Sequence, residues 1–351
     1  MNFDEIRNNI QPVDMEYCRL AQEKWDNIAK PLRSLGELEK IIVRLAGIQK
    51  KLIPVIDKKA VVIFCSDNGV VAEGVSQCGS EVTASVAESF AKGTATVNAF
   101  AKKCGADVFP VDVGIAKDMN CKGIIDRKIA YGTQNIASGR AMSEKQCIKA
   151  IMTGIEIVND LHGQGYNMIM TGEMGIGNTT TSSAVISVLE NVPPESVTGK
   201  GAGLSDNALI HKTDVIRQAI EVNKPDRNNI TDVMSKLGGF DICAMAGCFI
   251  GGALYRIPVI IDGFISAVAA DCAIKAVPEC SDYIFASHCS AEPAGKSVLD
   301  AVGKISLINC GMRLGEGTGA VIGAELFDYA LAAYSEPADF SDISVEKYQF
   351  L

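Results

Sequence analysis

Several segments of this chain carry residues whose types and spacing could do chemistry. In Gly172-Glu173-Met174-Gly175-Ile176-Gly177-Asn178-Thr179-Thr180-Thr181 the glycines let a backbone approach a ligand closely, and the Asn-Thr-Thr-Thr run opens a helix. Free N–H groups at such a helix start favour an anion, so the pattern reads as a phosphate cradle, with a Thr-capped glycine turn as the alternative. It is not a P-loop, because no Lys-Ser/Thr pair follows the glycines, and it does not satisfy GxGxxG. GKGAGLSDNALIHK is a second glycine loop running into a helix, and its Lys212 either reaches a phosphate or stays solvated. Glu316 stands between Gly315 and Gly317, with Gly319 beyond. A carboxylate on such a loop leaves room for a ring to approach, and burial would tune it for general-base work. The competing reading is a hydrogen-bonded loop carboxylate. Asp262 reads as a polar anchor or a helix cap, and Ser287 and Ser290 as pocket groups or turn caps. His288 and Cys289 are adjacent and point apart, which argues against a nucleophilic pair. Asp67 and Glu73 bracket a loop that could cover the site.

These segments need a scaffold, and the hydrophobic pattern supplies one. Six short apolar runs are predicted strands: 60–65, 107–113, 167–172, 257–262, 283–287 and 305–309. Near-continuous apolar strands separated by helical patterns call for a parallel sheet covered on both faces, a Rossmann-like α/β fold. Pro110 demotes the second run to an edge or kinked strand. Every run but the second is followed by a polar or glycine-rich segment, so those segments gather on one rim, where open parallel sheets bind ligands. The first fifty residues read as helical. Asp14 is the predicted N-cap, Leu20, Ile28 and Leu32 are buried positions, and Pro31 is a break. A further helix starts after Ser34 or Gly36, with Leu38, Ile41, Ile42 and Leu45 at helical spacing. The stretch 114–140 has no clear assignment. The predicted organisation is a helical segment over 1–55, an α/β domain over 56–330, and a tail over 331–351 that packs on the first helices or on a second subunit.

Composition narrows the function classes. The 351 residues carry 33 Lys plus Arg against 42 Asp plus Glu, a net charge of −9 with no basic block. That argues against a nucleic-acid partner, which needs clustered cations. Twelve cysteines in 351 residues are too sparse for a disulfide scaffold. Most sit in apolar runs, which predicts reduced, mostly buried thiols and a cytoplasmic setting. With no CxxC and three histidines, zinc is not expected. The N-terminus is polar and acidic, unlike a signal peptide, and Asp262 interrupts the apolar stretch around it, so no membrane span is predicted.

Taken in order and spacing, SDNGVVAEGVS, GEMGIGNTTTSSA, GKGAGLSDNALIHK, GGFDICAMAGCFIGGA, PVIIDGFISAVAA, SHCSAEPAG and MRLGEGTGA resemble the nicotinate-nucleotide–dimethylbenzimidazole phosphoribosyltransferase family. KPLRSLGELE resembles its N-terminal motif, and the likeness spans roughly 14 to 330. The resemblance implies transfer of the ribosyl phosphate of nicotinate mononucleotide to 5,6-dimethylbenzimidazole with inversion, giving α-ribazole 5′-phosphate for the lower loop of cobalamin. It implies Glu316 as the general base and Glu173 as a second acidic group near the ribose. Gly175, Gly177, Asn178, Thr179 and Lys212 would hold the phosphate. Asp262, Ser287, Ser290 and Gly317 would line the nucleotide pocket, and Leu314, Ser80, Val86 and Phe90 the base pocket. It implies a homodimer, and no metal or other cofactor.

The segment CGSEVTASVAESF departs from the family pattern, which has a Lys near the start of this helix and, within it, a Gln that helps bind the base. Here Ser80 and Val86 stand at or near those positions. Loss of an amide donor bears on which base is accepted, so adenine, other benzimidazoles and phenols stay open. Two other readings compete. A phosphoribosyltransferase using a pyrophosphorylated donor would need magnesium and usually an adjacent acidic pair, where this chain offers one Glu. A non-catalytic nucleotide-binding module would be expected to have lost Glu316.

Overall fold

The computed structural model describes residues 3–201 and 203–348. The chain opens with three helices, α1 (Phe3–Asn9), α2 (Met15–Asn27) and α3 (Glu37–Gln49). Asp14 caps α2 as expected, its carboxylate accepting from the backbone N–H of Glu16 and Tyr17. The buried face of α2 is Cys18, Ala21 and Trp25. Leu20 and Leu32, expected inside, are only partly covered; Trp25 and Tyr334 meet ring to ring and fill that space instead. The tail returns to these helices, since Ile28 bridges antiparallel to Asp339 and Phe340 N–H donates to Asn27. Positions 1–2 and 349–351 of the expected terminal segments lie outside the described residues.

The remaining elements alternate. They run β1 (Lys59–Ser66), α4 (Glu81–Lys92), α5 (Thr96–Cys104), β2 (Ala106–Gly114), β3 (Ile125–Asp126), α6 (Glu144–Gly163) and β4 (Met168–Met174). Then come α7 (Asn178–Leu189), α8 (Pro194–Val197), α9 (Asp206–Asn223), α10 (Ile230–Leu237), α11 (Phe240–Leu254), β5 (Val259–Ile261), α12 (Phe264–Ala276), β6 (Ile284–Ala286), α13 (Gly295–Ala301) and α14 (Thr318–Ser335). The six strands form one sheet in the order β3-β2-β1-β4-β5-β6, every pair parallel. This is the doubly wound order whose direction of winding reverses between β1 and β4, and ligands bind at the carboxyl ends beside that switch.

Five predicted strands are present and one is not. The run 305–309 forms only a parallel bridge, His288 to Ile308, and Ile305 is 61% exposed. The sixth strand is β3, inside the unassigned stretch 114–140; two residues give no periodicity to read. Pro110 lies in β2, but β3 reaches only Val111 and Asp112, so the prolyl nitrogen sits on an unpaired edge. ICAMAGCFIGG is a core helix: α11 is buried along nearly its whole length. It crosses α6 backbone to backbone, because a Cβ on Gly154 or Gly247 would collide with the carbonyl of Ala244 or Ile151. That crossing fixes the start of α11, and with it Asp241, behind the sheet's switch point.

Candidate active site

A cavity of about 380 Å³ opens at the carboxyl ends of β4, β5 and β6. Its floor is the β4–α7 turn. Glu173 is the penultimate residue of the strand, and Gly177, at φ +92, caps the start of the helix. A side chain on Gly175 would strike the carbonyl of Ser66 and lie 2.9 Å from Asp241 Oδ2, so only glycine lets this turn close. Behind Thr179 stands Lys212, 1% exposed rather than solvated. Its Nζ donates to Thr179 Oγ1 at 2.8 Å and to the Gly199 carbonyl at 3.1 Å. Burial lowers this ammonium to about 8, partly opposed by the negative charge of Glu292. A cation held beside a glycine turn and a helix start suits a phosphate.

The opposite wall is the loop before α14. Gly315, Glu316 and Gly317 are successively left-handed, at φ +82, +63 and +90. For Glu316 that conformation costs about 1–2 kcal/mol relative to the right-handed region, and Asp262 holds it in place. Asp262 Oδ2 accepts from Gly317 N–H at 3.0 Å; its Oδ1 accepts from Gly319 at 2.7 Å and Ala320 at 3.0 Å. The anchor therefore caps α14, not the helix that follows it in sequence. Burial raises the Glu316 carboxyl, and the charge of Asp262 raises it further. Burial also raises Asp262, against the pull of His288 and the three N–H groups.

Glu173 is the most perturbed acid of the cavity wall. Burial first, then the charge of Asp241, pushes it to about 8. Asn178 Nδ2 donates to Glu173 Oε2 and, at 3.1 Å, to Asp241 Oδ2. The Glu316 loop touches the same carboxyl, since a Cβ on Gly315 would run into Glu173 Oε1.

Of the residues singled out from sequence, Glu316, Glu173, Gly175, Gly177, Asn178, Thr179, Lys212, Asp262, Ser290, Val86 and Leu314 line this one cavity. Four sit elsewhere. Ser287 lies behind the wall, its hydroxyl donating to the Asp262 carbonyl at 2.9 Å. Gly317 is turned away, a Cβ there meeting Val61 at 2.8 Å. Phe90 packs into the core from the inner face of α4. Ser80 precedes α4 outside the wall, and Gln77 and Cys78 take the place expected of it. Gln77 Nε2 also donates to the Gly203 carbonyl, joining the loop before α4 to the glycine loop before α9. Asp67 and Glu73 do not face the cavity. Asp67 Oδ2 accepts from Ala116 N–H at 2.7 Å, and Glu73 receives Asn135.

Asp241, His288 and Glu292 were not expected here. His288 and Glu292 share a strand-end loop with Ser290, and both line the cavity. Glu292 stands near the Lys212 ammonium, and burial raises its carboxyl. Asp241 carried a signal, being the one acid in an otherwise apolar helix. Among the described residues no group of three or more His, Cys, Asp or Glu is placed to hold a metal ion. No described helix is long and apolar enough to cross a membrane.

Known proteins resemble this chain in sequence and fold. Residues 10–345 match the family model described as phosphoribosyltransferase. The nicotinate-nucleotide–dimethylbenzimidazole phosphoribosyltransferase of Acetivibrio thermocellus is 51% identical over 339 residues, covering 97% of this chain and 95% of its own. That of Ruminiclostridium cellulolyticum is 50% identical over 349 residues, covering 99% of each. The crystal structure of CobT from Thermus thermophilus superposes with a TM-score of 0.90 at 34% identity, covering 95% of this chain and all of that one. On sequence and fold, this chain belongs to the nicotinate-nucleotide–dimethylbenzimidazole phosphoribosyltransferase family.

Proposed function

We propose that the protein transfers the 5-phosphoribosyl group of nicotinate mononucleotide to 5,6-dimethylbenzimidazole, giving α-ribazole 5′-phosphate and nicotinate for the lower ligand of cobalamin. One observation carries the reading: a carboxylate on a fixed left-handed turn, Glu316, faces the same cavity as a buried cation at a helix start, Lys212. The phosphate lies on the Gly175–Thr179 turn with Lys212 as its counter-charge. The ribose then spans the floor past Glu173, and the acceptor ring packs on the apolar side that includes Val86 and Leu314.

One ring nitrogen of the acceptor attacks C1′ from the face opposite nicotinate. The C1′–N bond breaks with its electron pair returning to the pyridine nitrogen, so nicotinate leaves without needing a proton. The configuration at C1′ inverts, as in single-displacement glycosyl transfer. The proton on the acceptor's other ring nitrogen passes to the Glu316 carboxylate. Burial raises the basicity of that carboxylate and so suits it to take the proton.

The test is nicotinate release from nicotinate mononucleotide with dimethylbenzimidazole present, in chelator, by wild type and Glu316→Gln. Base-dependent release that collapses in the variant supports transfer and general base together. No release from wild type with any ring acceptor overturns the reading. The same reading makes the protein a cytoplasmic homodimer. Its cysteines are unpaired, and Ile305 and Leu314 expose apolar surface at 61% and 54%. Light scattering on the pure protein checks the dimer.

A further inference from the structure

Beneath the β4–α7 turn lies a buried acid that takes no direct part in the transfer. Asp241 is fully buried at the start of α11 and points at the underside of the β4–α7 turn. Its Oδ1 accepts from Ile242 N–H at 3.0 Å, and its Oδ2 accepts from Asn178 Nδ2 at 3.1 Å. A primary amide has two N–H bonds, and Asn178 directs both at carboxylates, the second at Glu173. Two acids therefore share one neutral donor, with no cation between them. Beyond Asp241 lies the amide oxygen of Asn68, buried and without a donor, close to the same edge of Gly239 as Asp241 Oδ1. No described group on that side neutralises Asp241 either.

We propose that Asp241 is a positioning residue for the transfer: acting through Asn178, it aims the Glu173 carboxyl into the cavity and, by its negative charge, keeps that carboxyl in the neutral, hydrogen-bond-donating form. Two like charges held by one amide do not both ionise readily, and the strand-end acid is the one that meets substrate. A neutral Glu173 can donate to a ribose hydroxyl. An ionised one would add a further charge beside Glu316 and Asp262 and repel the incoming phosphate. The titratable groups around Glu173 are Asp241 on α11, Asp262 after β5, Glu316 before α14 and Cys65 on β1. Lys212 of α9 lies across the turn and His288 beyond Asp262. Asp241→Asn removes the charge and keeps an oxygen for Asn178.

This proposal rests on the transferase reading, and two measurements keep the two separable. The first is the pH profile of nicotinate release by the full chain for wild type, Asp241→Asn, Glu173→Gln and the double variant. Wild-type kcat/KM is expected to fall on the alkaline side as Glu173 ionises. In Asp241→Asn that fall moves about one pH unit lower. In Glu173→Gln the part of the fall set by Glu173 disappears, leaving the part due to loss of the Lys212 charge, and adding Asp241→Asn to that variant leaves the remaining profile unchanged. An Asp241→Asn effect that is uniform across pH, or that persists in the Glu173→Gln background, overturns the proposal. The second is infrared difference spectroscopy of the resting protein, which needs no turnover. At pH 7 a protonated-carboxyl band that Glu173→Gln removes is expected in wild type, and Asp241→Asn cuts it to about half, as a one-unit shift from about 8 requires. An undiminished band in folded Asp241→Asn overturns the proposal even if no nicotinate is released.

Discussion

Asp262 and Glu316 lie far apart in sequence, yet the first holds the second: both Asp262 carboxylate oxygens accept N–H groups from the loop that presents Glu316. Neither oxygen is free to serve as a second base. Asp262→Asn turns one acceptor into a donor facing an N–H and leaves at least one buried donor unsatisfied. The expected loss of stability is about 1–3 kcal/mol, read by thermal melting. The rate should fall with KM for the donor changed far less, because the base is displaced rather than the phosphate site.

Glu316 must be ionised to accept a proton, and both burial and Asp262 raise its carboxyl. The acid limb of the rate profile is therefore expected above the ordinary glutamate range, with activity rising as pH rises through it. Glu316→Gln should lower kcat by about 10²–10⁴-fold and bind nicotinate mononucleotide within a few-fold of wild type by calorimetry. Unchanged kcat would place the base elsewhere.

Glu173 makes a stability prediction with an unusual sign. Folding lifts its carboxyl to about 8, so the folded protein keeps a proton that the unfolded chain releases near the ordinary glutamate value. Stability from this group is complete below the unfolded pKa and declines as pH rises towards the folded one. Glu173→Gln should thus gain melting temperature relative to wild type at pH 8 and show less gain at pH 5. A constant difference across that range counts against the shift.

Lys212 separates binding from chemistry. Hydrogen bonds to a charged group contribute about 1.5–3 kcal/mol each, so Lys212→Met should raise KM for nicotinate mononucleotide about 10- to 100-fold with a smaller change in kcat. The dephosphorylated nucleoside should lose its disadvantage in the same variant. Competition with inorganic phosphate offers a direct check: it should inhibit wild type and not Lys212→Met.

The parts legible in the sequence were those whose signal is local. Apolar runs gave β1, β4, β5 and β6 their places, and glycine next to Glu173 and Glu316 marked both loops. The rest depends on distant packing. β3 is two residues long and exists because Val111 and Asp112 offer it an edge. Ser287 carries the same motif context as Ser290, but strand direction turns it behind the wall. Asp241 joins the site only because glycines at the α6–α11 crossing bring the start of α11 beneath the turn. No spacing rule within one segment reports that.

The base side of the cavity leads to the last prediction. Val75, Val82, Val86, Met174, Ile176 and Leu204 give it an apolar lining, and Val86 stands at or near the position where the sequence resemblance implies an amide. A hydrophobic wall discriminates only weakly between rings of similar size, while a buried amide discriminates strongly against a ring that leaves it unpaired. Val86→Gln introduces one donor and one acceptor into that wall. With dimethylbenzimidazole, the amide restores the group with which the family pattern helps bind the base, and kcat/KM is expected to rise about 10-fold, the return of one hydrogen bond. Adenine presents a different set of donors and acceptors to the amide and is expected to gain less, so the ratio of the two bases moves towards dimethylbenzimidazole. Competition between the two bases in one assay reads that ratio directly. A ratio equal to that of wild type would mean that the acceptor ring does not lie against Val86.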